Sequence, residues 1–70
     1  MDRTRVSSSN VASVGYDSLS STLEVEFHGG SIYQYFAVPS SVYAAMMSAA
    51  SKGSYLAQFI KDRYHCRQVR

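Results

Sequence analysis

Apolar and polar positions alternate most cleanly in "TLEVEF", Thr22 to Phe27, where Leu23, Val25 and Phe27 point one way and Glu24 and Glu26 the other. A period of two marks a strand with one face buried. Upstream, "VASVGY" (Val11 to Tyr16) is short, β-rich and bounded by polar residues, and predicts a first strand. The intervening "DSLSS" supplies Asp and Ser side chains that bond nearby backbone amides in a turn. Downstream of the glycine pair Gly29–Gly30, "SIYQYF" predicts a third strand.

The register of the second hairpin depends on that glycine pair. If Gly29 and Gly30 are the two central residues of a primed turn, both adopt positive φ, which glycine tolerates. Phe27 then faces Ile32, Glu26 faces Tyr33, and Glu24 faces Tyr35. Leu23, Val25, Phe27, Ile32 and Phe36 share one face, and Tyr33 and Tyr35 join the glutamates on the other. A three-residue loop, His28 to Gly30, slips the register by one and carries the tyrosines to the core face. The two-residue turn is preferred here, because the slipped register buries two phenol groups that need partners.

After Pro39, "SSVYAAMMSAA" predicts a helix, with Ser40 or Ser41 as its cap. Val42, Met46 and Ala49 fall on one stripe and Tyr43, Met47 and Ala50 on the next, which together make an apolar face. "SKGS" breaks the run, with Gly53 suited to a left-handed helix end. Ser54 then caps a second helix, "YLAQFIKDRY", in which Leu56, Phe59, Ile60 and Tyr64 recur at helical spacing. The order is β-β-β-α-α. This is an α+β fold, a three-stranded antiparallel meander followed by two α-helices packed on one sheet face. Residues 1–9 read as a flexible lead-in, 10–65 as the single domain, and 66–70 as a basic tail.

Length makes this reading incomplete on its own. A chain of 70 residues buries only about 60% of its unfolded surface, so its core is normally supplemented. Cys66 is the only cysteine, which excludes an internal disulfide, and one Cys with two His falls short of a four-ligand structural zinc site. Self-association or docking to a host protein is the remaining supplement. No metal and no cofactor is expected. No signal peptide and no membrane-length apolar run is visible, and an unpaired cysteine suits a reducing compartment, so the cytoplasm is the expected location. The net charge is +2. Arg3 and Arg5 lie at one end and Lys61, Arg63, Arg67 and Arg70 at the other, with Lys52 between, a distribution compatible with an anionic partner.

The ordered set "SVGYD", "TLEVEF", "YQY", "VP", "VYAAMM" and "SKGSYLAQFIKDRY" resembles the KTSC family, a short domain named for the carboxyl terminus of some lysyl-tRNA synthetases and also found as small free-standing bacterial or phage proteins. The resemblance covers about residues 9 to 65. Tyr33 and Tyr35 match the family's central tyrosine-any-tyrosine signature, and "HCRQVR" lies outside the aligned portion. The resemblance implies a small domain without established enzymatic activity, and the synthetase association suggests contact with RNA.

The residues themselves offer little to catalysis. His65 and Cys66 are neighbours in sequence, which is not a nucleophile–base geometry, and no orienting carboxylate accompanies them. Tyr33 and Tyr35 can stack bases, as aromatic side chains do on sheet-based RNA readers, although tyrosine is also an ordinary strand residue. "SKGS" sets Lys52 and the free amides around Ser54 at a helix start, where an anion is favoured; it lacks the glycine spacing of a Walker loop and otherwise reads as a plain helix–helix turn. Lys61, Arg63 and Arg67 extend a basic strip along the second helix. The expected function is RNA or other nucleic-acid binding, non-catalytic and largely backbone-directed, through Tyr33, Tyr35, Lys52, Ser54, Lys61, Arg63 and Arg67. The alternative is a protein-interaction module, self-associating or docking to a host protein through an outer sheet face carrying Tyr33 and Tyr35. Salt dependence separates the two, because phosphate contacts release counterions.

Overall fold

A computed structural model describes residues 1–70. Five antiparallel strands lie side by side in chain order: β1 (Thr4–Arg5), β2 (Val11–Asp17), β3 (Thr22–Phe27), β4 (Ile32–Tyr35) and β5 (Cys66–Gln68). Between β4 and β5 come α1 (Ser40–Ser48) and α2 (Lys52–Tyr55), the latter running on into one π-helical turn, Leu56–Ile60. The α+β class and the antiparallel meander agree with the sequence reading; the number of strands does not. The segments read as a lead-in and a tail supply the two outer strands, β1 on β2 and β5 on β4. Both are too short and too polar to carry an alternating pattern.

The hairpin of β3 and β4 takes the three-residue loop, so the preferred register is corrected. Leu23 stands opposite Tyr35, Val25 opposite Tyr33, and Glu26 opposite Ile32. The Phe27 amide donates to the Ser31 carbonyl at 2.9 Å, and the Gly30 amide donates back to the Phe27 carbonyl at 2.9 Å. Gly30 sits at φ +98°, and Gly29 has no positive φ. A single left-handed glycine closing such a loop is the usual three-residue hairpin, whereas a type I′ turn needs two positive φ values.

The slip moves every side chain of β4 to the opposite face. Tyr35 joins Val11, Val14, Leu23 and Val25 in the core, with Tyr33 and Phe27 packed at its margin. Ile32 is buried outside that cluster, on the side of Glu26, and Phe36, also expected inward, is only half-buried beyond the end of β4. Helical residues Met46, Leu56 and Ile60 close the core from above, with Val42, Tyr43 and Met47 beside them. Tyr16 stacks on Tyr43 at 4.9 Å and donates its hydroxyl to the Val38 carbonyl at 2.6 Å, tying α1 to the sheet.

The second helix begins earlier than its sequence suggests. Ser51, not Ser54, is its cap, and the Ser51 hydroxyl accepts from the Ser54 amide at 3.2 Å. Gly53 is therefore a buried helical residue and not a left-handed terminator. α1 starts after Pro39 without a side-chain cap, so neither Ser40 nor Ser41 plays that part. No helix is long and apolar enough to cross a membrane.

Candidate functional site

The side of the sheet away from the helices is tiled with charge. Glu24 and Glu26 of β3 project there, and Arg3 reaches across β2 to bridge to both. Gln34 donates to Glu24 at 2.8 Å, Ser13 donates to Glu26 at 2.8 Å, and Arg70 closes on Glu26 at 3.1 Å. Burial pushes the Glu24 carboxyl up, but the Gln34 and Arg3 hydrogen bonds and the Arg3 charge outweigh it and hold the group below its ordinary value. Glu26 is also held low, chiefly by the Ser13 hydrogen bond against some desolvation, then by the nearby arginines. Both carboxylates of this face are thus satisfied, and it carries neither tyrosine.

The helix side leaves a groove of about 550 Å³ between the β3–β4 hairpin, β5 and the second helix. Phe27, Tyr33 and Tyr35 line the sheet side, and Leu56, Lys61 and Asp62 line the helix side. The Phe27 and Tyr33 rings meet edge-to-face at 5.8 Å and 83°. The Tyr33 hydroxyl donates to Gln68 of β5 at 3.2 Å. Burial, with Cys66 and Tyr33 close by, raises the Tyr35 phenol to about 12.

Lys61 and Asp62 owe their place to the π turn. The Lys61 amide donates to the Leu56 carbonyl, five residues back, at 2.8 Å. One extra residue in a turn rotates everything downstream by about 100° relative to an α-helix. Lys61 and Asp62 therefore come round to the groove, while Leu56 and Ile60 stay buried.

The residues singled out in the sequence are thus only partly brought together. Tyr33, Tyr35 and Lys61 share the groove. Lys52 donates to the Ala49 carbonyl at 3.1 Å, securing the end of α1, and Ser54 shares the cap with Ser51. Arg63 is exposed after the helix. Arg67 stands opposite Gln34, on the glutamate face, so the supposed strip from Lys61 to Arg67 is divided between two sides of the sheet. Sequence reasoning missed Phe27, Asp62, Cys66 and Asn10 as groove residues. The three-residue loop was the available signal that Tyr33 and Tyr35 join Phe27 on one face; nothing local announced the π turn that brings the exposed Asp62 to the groove rim. No group of three or more His, Cys, Asp or Glu side chains is placed to hold a metal.

Comparison with known proteins points the same way as the fold. The family model described as KTSC domain matches residues 7–64. A protein of Stutzerimonas stutzeri is 40% identical over 65 residues, covering 93% of this chain and 92% of its own length. The lysine–tRNA ligase of Trichormus variabilis is 43% identical over 54 residues, 77% of this chain but only 10% of the ligase. The crystal structure of a KTSC domain protein from Yersinia pestis superposes with a TM-score of 0.93 at 40% identity, covering 99% of this chain and 97% of that one.

Proposed function

This chain belongs to the KTSC domain family, and from that premise we propose that it is a non-catalytic module that binds single-stranded RNA in the groove between β4, β5 and the second helix. One observation carries the reading: aromatic rings of Phe27 and Tyr33 stand beside the unpaired ammonium of Lys61 in an open groove of ligand size. Flat bases pack on aromatic surfaces, and a cation at the rim suits a phosphate. The similarity to part of a lysine–tRNA ligase supports an RNA rather than a peptide ligand. The glutamate face is a poorer phosphate track, since Glu24 and Glu26 lie along it and Arg3 and Arg70 are already engaged with them.

The test is an anisotropy titration of a labelled single-stranded RNA at two salt concentrations. Binding that weakens with salt, and weakens further in Lys61→Ala, is expected. Absence of binding at low salt overturns the proposal.

A further inference from the structure

Tyr35 is 4% exposed, yet no hydrogen bond within the chain engages its hydroxyl, and that oxygen is not sealed in. Its side chain forms part of the groove wall. A solvent-reached hydroxyl is satisfied by water in the open groove, and a ligand that displaces that water keeps the bond only if it offers an acceptor. At the mouth, Lys61 and Asp62 make no ion pair with any other side chain. The groove thus offers a hydroxyl free of partners within the chain, aromatic walls, and one free carboxylate beside one free ammonium. A volume of about 550 Å³ falls within the range of sites that take small planar ligands, roughly 300–1,000 Å³.

An occupant that engages all of these groups is flat, carries an anion on one side, and presents both an acceptor and adjacent donors along one edge. Adenine and cytosine place a bare ring nitrogen, an acceptor, where a carboxylate would face it. Uracil offers a single ring N–H and a smaller surface. Guanine alone combines a carbonyl acceptor with two neighbouring donors on its pairing edge. We infer that the groove takes one unstacked guanine of a single-stranded RNA, with O6 accepting from the Tyr35 hydroxyl, N1–H and the N2 amino group donating to Asp62, and a backbone phosphate at Lys61. This deepens the single-strand RNA reading and rests on it.

The experiment compares a labelled oligouridine carrying one central guanosine with the same strand carrying adenosine. The guanosine strand is expected to bind about tenfold tighter, the lower end of what one well-made base contact gives. Asp62→Asn should abolish most of that preference without weakening the adenosine strand, because it also removes a charge that repels phosphate. Tyr35→Phe, which keeps the ring and hence the packing, should weaken the guanosine strand alone, with cooperative melting confirming the fold. Equal affinity for the two strands, or an unchanged preference in Asp62→Asn, overturns the guanine assignment while RNA binding stands. No binding of either strand at low salt overturns both.

Discussion

The guanidinium of Arg3 rests on the carboxylate of Glu24, reaching it across β2 at Gly15, where no side chain intervenes. Glu26, two positions on, takes Arg3 from one side and Arg70 from the other. The two ends of the chain are therefore fastened to the same central strand. These contacts tether the segments beside two short outer strands that bury little apolar surface.

Acid should loosen this arrangement. Glu24 and Glu26 are both held below the ordinary value of 4.5 in the folded chain. A carboxylate with a depressed folded pKa contributes stability that is complete above its unfolded pKa and is lost as pH falls through the folded one. The thermal midpoint should stay level above that value and drop as pH falls below 4.5. Arg3→Ala should cost about 1–2 kcal/mol at neutral pH, since Glu24 keeps Gln34 but loses its charged partner, and its acid dependence should be shallower. Melts of both proteins across the acid range check this. Parallel curves would mean that the Arg3 pair contributes nothing.

Two glycines should respond oppositely to the same substitution. A Cβ at Gly15 would run into the backbone carbonyl of Asp2, which cannot move without shifting the amino-terminal segment. A Cβ at Gly53 meets first the far end of the exposed Asn10 side chain, which can swing away. Gly15→Ala should therefore destabilise by about 1–3 kcal/mol, as overpacking does. Gly53→Ala should be neutral or stabilising, because alanine is favoured over glycine in a helix by about 1 kcal/mol. Urea denaturation of the two variants reads the difference.

Which parts of this were legible follows from where the information sits. β2, β3 and α1 announce themselves through local apolar spacing. The hairpin register did not, because the glycine pair suggested a primed turn and the buried phenols looked unsatisfied. Their partners are not local: Gln68 of β5 receives Tyr33, and the Tyr35 tip opens on a groove. The start of the second helix is lost because Gly53 passes for a terminator, when it is a buried residue of a helix capped by Ser51, with Asn10, more than forty positions earlier, beside it. The site was half readable. Tyr33, Tyr35 and Lys61 were named, but Arg67 goes to the other face and the π turn that delivers Asp62 has no sequence signature.

The Tyr35 phenol makes a prediction at the opposite end of the pH scale. Its value is raised from 10.0 to about 12, by burial first. Because the folded chain favours the neutral phenol, this group's contribution is complete below pH 10.0 and is lost as pH rises through about 12. Stability should fall across that interval, and Tyr35→Phe should flatten the fall. Ultraviolet titration of phenolate absorbance, run beside circular dichroism, separates ionisation from unfolding. A Tyr35-dependent phenolate signal well below that range would mean that burial does not hold the phenol neutral.

Three single variants test the proposed placement of single-stranded RNA in the groove. Lys61→Ala should weaken binding to every sequence and reduce the salt slope by about one unit, because a phosphate contact carries no base information and releases counterions. Tyr33→Ala should cost about 1–3 kcal/mol of affinity for single strands while leaving the slope nearly unchanged, since stacking displaces few ions. Its hydroxyl bond to Gln68 and its half-buried ring make a melting control necessary. Arg67→Ala should leave affinity and slope where they were, because Arg67 stands on the glutamate face, through the sheet from the groove. The three outcomes are linked by geometry rather than by charge count: Lys61 and Arg67 are equal cations on opposite sides of one sheet. If Arg67→Ala costs as much as Lys61→Ala, the ligand runs over the glutamate face after all, and the groove is not its site.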